Sequence, residues 1–149
     1  MKKIIIMSLL VASGAVFADG KKVLEQVCMT CHVVDGQGGG QRAAPPMYAV
    51  WHHYRQAHTD KESFVAAVSS WLQQPQKEKS VMKGAVKKFG LMDKLEIDAV
   101  QAQSVAEHLY ERSFNLPESY LAHYNAKHGK KSHGYDGDEK AVQQDQQQH

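Results

Sequence analysis

Four stretches of the chain repeat apolar residues at helical spacing, and no segment has the composition or alternation of a strand. Apolar residues three and four positions apart share one face of a helix, so each stretch predicts an amphipathic helix and the chain predicts an all-α fold. The four sets are Val23, Leu24 and Val27; Met47, Val50, Trp51 and Tyr54; Phe64, Ala67, Val68, Trp71 and Leu72; and Ala99, Ala102, Val105, Ala106, Leu109 and Tyr110.

Polar residues mark where these predicted helices begin and end. Thr59 and Glu62 match a capping box in front of the third helix, and Pro75 stops that helix. The fourth helix is expected over residues 98–113. Beyond Pro117 we expect one more helical turn at 120–124 at most, because the apolar pattern fades there.

The two ends of the chain are expected to lie outside the folded domain. Residues 1–18 have a basic start at Lys2 and Lys3, an apolar run, and small residues before position 19, the layout of a cleaved signal peptide. Residues 123–149 are polar and rich in Gln, Gly and Lys, so we expect a disordered tail. The prediction is one domain over residues 19–122, a monomer without a membrane span after cleavage, exported to the periplasm.

Charge excludes one class of partner. The chain has 18 basic and 16 acidic residues, and two of the basic ones are Lys2 and Lys3 of the leader, so the mature chain is formally neutral. Proteins that bind nucleic acid need a basic excess, so we expect no nucleic-acid partner.

The only two cysteines form the motif Cys28-Met29-Thr30-Cys31, followed directly by His32. A disulfide here closes too short a loop to stabilise the fold much, and a thioredoxin-like redox pair needs a βαβ setting that the flanking pattern lacks. A structural zinc site needs a second pair of spaced ligands, whereas His52 and His53 are adjacent. The motif C-x-x-C-H is instead that of covalent attachment of a c-type haem.

The spacing suits that chemistry. Thiols three positions apart on a helical turn reach the two vinyl groups on one edge of a porphyrin, and His32 then presents its ring to the iron as proximal ligand. A carbonyl in the Ala43-Ala44-Pro45-Pro46 segment, that of Pro45 in our prediction, accepts the Nδ1–H of His32 and fixes its tautomer. The alternative is that Pro45-Pro46 only starts the next helix.

The order of helix, C-x-x-C-H, Gly-rich loop, proline, helices, Gly-x-Met and final helix resembles the class I mono-haem cytochromes c, over roughly residues 20–115. The resemblance implies a small helical domain around one covalently bound haem c. It also implies a close crossing of the first and last helices at Gly20, with Leu24 where the family usually has an aromatic residue. The aromatic partner on the last helix is His108 or Tyr110, and the helical arc favours Tyr110.

The resemblance implies a methionine as second axial ligand. Met92, in Gly90-Leu91-Met92, is the first choice, although Asp93 stands where the family has proline. Met82 is the alternative, and Met47 is too close to the proline turn. A histidine, above all His52 or His53, or an open position is the third option.

With both axial positions filled, the implied function is electron transfer without substrate turnover, so we expect no enzyme. The alternative is a five-coordinate haem that binds a small gas or peroxide. A lysine-rich segment flanks the methionine loop, and it predicts either a docking surface for acidic redox proteins or a solvated helix face. Its lysines are Lys77, Lys79, Lys83, Lys87, Lys88 and Lys94.

Overall fold

The computed structural model describes residues 19–33 and 43–129, and within these two ranges the chain forms six α-helices and no strand. The predicted all-α fold is therefore confirmed. The predicted leader, the Gly-rich loop at 35–40 and the tail from residue 130 lie outside the described residues. The helices are α1 (Gly20–Gln26), α2 (Met47–Ala57), α3 (Lys61–Gln73), α4 (Lys83–Phe89), α5 (Ala99–Glu111) and α6 (Glu118–His128).

The first helix crosses α5 at very short range, as expected at Gly20. The Gly20 N–H donates to Ser104 Oγ at 3.0 Å, and a Cβ built on Gly20 would lie 2.1 Å from the Ser104 carbonyl oxygen. Arg112, two turns further along α5, reaches Glu25 of α1 at 4.0 Å. Glycine is needed here because any side chain would separate the two backbones.

The core lies where α3 packs along α5 and α1 closes one end. Phe64 of α3, Leu24 of α1 and Val105 of α5 are its largest fully buried side chains. Tyr110 meets the edge of Phe64 with ring centroids 5.3 Å apart, and its other face lies 4.1 Å from the Arg55 guanidinium of α2. Tyr110 therefore faces α2 and α3, so its predicted pairing with α1 is wrong. The α1 side of α5 contains Ser104 and Arg112, and His108 lies on that face because it is four residues from each.

The start of α3 also differs from the prediction. The N-cap is Asp60, whose carboxylate accepts the Ser63 N–H at 2.8 Å and the Ser63 hydroxyl at 2.6 Å, so the capping box predicted for Thr59 and Glu62 is wrong. The carboxylate one position later satisfies the N–H of Ser63 rather than that of Glu62, and it carries the negative charge that a helix N-terminus favours. At α5 the cap is a true capping box between Asp98 and Gln101.

The last helix is longer than expected. We predicted a single turn and disorder from residue 123, but α6 continues to His128, so that expectation is wrong for residues 123–128. The helix is held by Tyr124, which is 8% exposed and packs against the rings of His52 and His53 on α2. None of the described helices combines the length and apolar character that a membrane span requires.

Candidate haem site

The cysteine motif forms a tight turn at the end of α1. A 3₁₀ turn over Cys28–Thr30 follows the helix, and the N–H groups of Cys31 and His32 both donate to the Cys28 carbonyl, at 3.3 and 3.0 Å. Cys28 and Cys31 are free thiols that line the same cavity together with His32. Burial raises the pKa of the Cys28 thiol, which keeps it protonated at neutral pH.

His32 is held at two points by the segment that leads into α2. Its ring Nδ1–H donates to the Pro45 carbonyl oxygen at 2.6 Å, the contact expected from the sequence. Its own carbonyl accepts the Met47 N–H at 3.3 Å. Burial lowers the pKa of His32, while the Pro45 carbonyl acts in the opposite direction. A neutral ring with Nδ1–H engaged carries its free lone pair on Nε2, the atom then available to a metal.

The cavity above this turn measures about 390 Å³, within the usual range for cofactor sites. Every helix from α1 to α5 contributes apolar side chains to its wall. Among these are Leu24, Val50, Val68, Trp71, Leu72, Val86, Phe89, Val105 and Leu109. An apolar chamber with two thiols and an imidazole at one side fits a flat hydrophobic macrocycle with a central metal.

Both candidate methionines line this cavity. Met92 lies in the extended segment between α4 and α5, after Gly90 turns the chain with a φ of 88°, and it packs against the hydrophobic core. Met82 is the N-cap of α4, where its N–H donates to Ser80 Oγ at 3.1 Å and its carbonyl accepts the Val86 N–H. Met47 also lines the cavity, but as a buried part of α2.

His52 and His53 lie elsewhere. Neither lines the cavity, and their rings contact Tyr120, Tyr124 and His128 of α6. The structure therefore offers no support for either residue as an alternative axial ligand. Within the described residues, no cluster of three or more His, Cys, Asp or Glu side chains has the geometry of a metal site.

The lysine-rich segment forms one wall of the cavity. All six lysines are exposed, while residues between them face inward, including Met82, Val86, Phe89 and Met92. Lys83 donates to the carbonyl oxygens of Lys77 and Glu78, so its ammonium group closes the turn before α4.

Sequence reasoning missed two polar residues of the cavity wall. Ser80 is buried and holds the backbone of Met82, and Tyr54 presents its ring from α2. Burial raises the pKa of Tyr54, so its phenol is neutral at neutral pH. Ser80 carried no signal in the sequence, because a serine in a lysine-rich stretch reads as solvent-exposed. Tyr54 was identified only as part of an apolar helix face.

Comparison with known families agrees with this site. The family model described as Cytochrome c matches residues 17–113, which include α1 to α5 and the whole cysteine motif. No curated protein and no solved structure matches the chain significantly. The match implies a covalently bound haem c and a role in electron transfer. The chain belongs to the cytochrome c family.

Proposed function

We propose that this protein is a periplasmic carrier of single electrons whose haem is held by Cys28 and Cys31 and ligated by His32 and Met92. The observation that carries the proposal is the set of groups around one apolar cavity: two free thiols, an imidazole oriented by Pro45, and a methionine from the segment between α4 and α5. When bound, the haem supplies an iron that takes up and releases one electron.

The role of His32 is supported by its hydrogen bond. Donation of Nδ1–H to a carbonyl fixes the tautomer and makes Nε2 a better donor to a metal. The second contact, from the Met47 N–H to the His32 carbonyl, limits movement of the residue as a whole. Together they fit a ligand that keeps one orientation in both oxidation states.

Met92 is favoured over Met82 by its backbone. The segment from Gly90 to Asp98 lies outside any helix, so Met92 is free to bring its thioether to the centre of the cavity. Met82 is fixed by the first turn of α4 and by Ser80. A thioether opposite a histidine favours the reduced iron relative to bis-histidine ligation, which suits an electron carrier.

With His32 and Met92 both held by the iron, a bound haem would offer no site for a substrate, and the chemistry it would supply is the transfer of single electrons. The segment from residue 77 to residue 94 contains six lysines and only two acidic residues, Glu78 and Asp93. We propose that this exposed positive segment docks an acidic redox partner. The protein acts as a monomer after removal of residues 1–18, and its single domain extends from residue 19 past the expected limit at 122 to include α6.

Spectra of two methionine variants test the ligand assignment. The protein is produced with a haem-ligation system, and Met92→Ala and Met82→Ala are compared with wild type. We expect all three to retain haem after denaturation, and only Met92→Ala to lose the methionine-to-iron charge-transfer band at the red end of the ferric spectrum. Loss of the band in Met82→Ala alone would assign the ligand to Met82. Loss of the haem on denaturation of the wild type would overturn the attachment itself.

A further inference from the structure

The helix that follows the family match is attached to the molecule by aromatic rings. The match ends at residue 113, and α6 begins at Glu118. Tyr120 lies edge-on to Tyr48 at 5.2 Å, and Tyr124 lies edge-on to His52 at 4.5 Å and to His53 at 5.0 Å.

One hydrogen bond strengthens this contact. Tyr120 Oη and His52 Nδ1 lie 3.0 Å apart, with the direction of donation set by the tautomer of the ring. His52 is only 5% exposed and Tyr120 is half-buried, so this polar contact is partly shielded from water. His128 completes the cluster by stacking on Tyr124 at 4.4 Å and meeting His53 at 5.3 Å.

The two faces of α2 have different partners. Tyr48, His52 and His53 carry the contacts to α6, whereas Met47, Val50 and Tyr54 line the cofactor cavity. At about 100° per residue, the centres of these two sets lie on opposite sides of the helix. Helix α2 therefore lies between α6 on one face and the cavity on the other.

The start of α2 and the proline segment directly before it are also the part that holds His32. Pro45 accepts its ring N–H, Met47 donates to its carbonyl, and Tyr48 is the next residue along the chain. We propose that α6 is a strap that fixes α2 against the cavity, with Tyr120 and Tyr124 as positioning residues for the Pro45–His32 hydrogen bond. This inference rests on the proposed role of His32 as iron ligand.

Exchange of the His32 Nδ1–H with solvent, measured by NMR on the reduced full-length holoprotein, tests the strap. We expect Tyr124→Ala to accelerate this exchange by about tenfold and Tyr120→Phe by about threefold, since both loosen the turn that shields the bond. Tyr120→Phe keeps the ring and removes only the hydroxyl, so it stays informative if Tyr124→Ala fails to fold. His123→Ala, an exposed position on the same helix, is the matched control and should exchange at the wild-type rate.

The two hypotheses fail differently in this experiment. If the wild-type ring resonances of His32 lack the large shifts of an axial haem ligand, the proposed function fails and this inference fails with it. If those shifts are present but both tyrosine variants exchange at the wild-type rate while the amides of α6 exchange faster, the ligand assignment stands and the strap is refuted.

Discussion

Gly20 lies where α1 crosses α5, and the absence of a side chain is what permits the crossing. A Cβ at this position would lie 2.1 Å from the backbone oxygen of Ser104 and 2.8 Å from its Oγ. The nearest atoms belong to the helix backbone, which cannot rotate away as a flexible side chain can, so an added methyl group pushes the two helices apart. The same glycine gives its N–H to Ser104 Oγ, a bond that this separation also lengthens.

We predict that Gly20→Ala lowers the free energy of unfolding of the holoprotein by about 1–3 kcal/mol, the range found for overpacked cores. Guanidinium titration followed by circular dichroism measures it. Gly84→Ala is the matched control, because its Cβ has no neighbour within 4 Å, and alanine in helix α4 should be neutral or stabilising by up to about 1 kcal/mol. Equal stabilities for the two variants would contradict the close crossing.

At the scale of single residues, a hydrogen bond near the cysteine motif could be predicted from the sequence. Which of two adjacent residues caps a helix, and which neighbouring helix a side chain contacts, could not. The hydrogen bond from His32 to Pro45 could be predicted because a histidine that binds a metal usually donates its other ring N–H to a carbonyl oxygen. Only a few carbonyl groups lie between the Gly-rich loop and the next helix, and that of Pro45 is one of them. The cap of α3 was assigned one residue too early, because Thr59 and Asp60 are both good caps and only the backbone decides between them. Tyr110 was paired with α1 because a helical arc of about 140° contains faces toward more than one neighbour.

The cluster between α2 and α6 contains a histidine whose titration is coupled to the packing of these two helices. Burial, with His128 and His52 nearby, lowers the pKa of His53 to about 4. Its neighbours are His52 on its own helix and Tyr124 and His128 on α6. In the unfolded chain the same ring titrates near its ordinary value of 6.5. As pH falls through 6.5 the unfolded state therefore takes up a proton that the folded state does not.

We predict that the free energy of unfolding decreases as pH falls from 6.5 to about 4, because only the unfolded chain protonates His53 in this range. Below about pH 4, His53 causes no further decrease. The expected contribution is about 1–2 kcal/mol, less than the full pKa difference implies because the ring is partly exposed. His53→Asn should flatten this part of the pH profile of the unfolding free energy, and His123→Asn should leave it unchanged. If His53→Asn keeps the wild-type slope, the titration of His53 is not the cause of this pH dependence.

At the scale of elements, the four amphipathic helices were predicted, whereas α6 was predicted only as a single turn at 120–124. Helices α2, α3 and α5 bury aliphatic and aromatic residues in a regular period, which the sequence displays directly. Helix α6 has few apolar residues, and it packs its tyrosines on histidines, which a search for apolar periodicity counts as polar. Pairing of aromatic rings across two helices becomes visible only when both are placed.

The charge of the whole molecule is unevenly distributed, and this has a measurable consequence. The exposed lysines between 77 and 94 surround residues that line the cofactor cavity. Lys83 is engaged with two carbonyl groups, so other exposed lysines of the segment, such as Lys87 and Lys88 in the last turn of α4, are better candidates for long-range attraction.

We predict that electron transfer to an acidic partner slows as ionic strength rises. The double variant Lys87→Glu with Lys88→Glu should transfer electrons about tenfold more slowly at low salt, and its rate should depend less on salt than the wild-type rate does. Stopped-flow kinetics over a range of salt concentrations measures this. Lys127→Glu on α6 reverses one charge outside the segment, so it is the matched control for Lys87→Glu alone, and it should have a much smaller effect than that variant. A double variant that retains the wild-type salt dependence would show that the lysines serve only solvation.

At the scale of the molecule, the sequence predicted which functional side chains lie at the cavity better than it predicted which helices form the cavity walls. The motif, the proline and the methionines were all identified, and all of them line the cavity. What remained hidden was that every helix from α1 to α5 contributes a wall, and that the lysine-rich segment turns its apolar residues inward. Those features depend on tertiary packing, because Val86 and Phe89 acquire a partner only when the chain closes around the cavity.

The central claim is that residues of this chain fill both axial positions of the haem, which makes the protein a carrier of electrons. The most direct test is the absorption spectrum of the reduced wild-type protein before and after addition of carbon monoxide. We predict no change in the spectrum, because in the proposed ligand set Met92 would occupy the position that the gas needs. A rapid and complete shift on addition of carbon monoxide would contradict the claim and indicate a five-coordinate haem that binds small ligands.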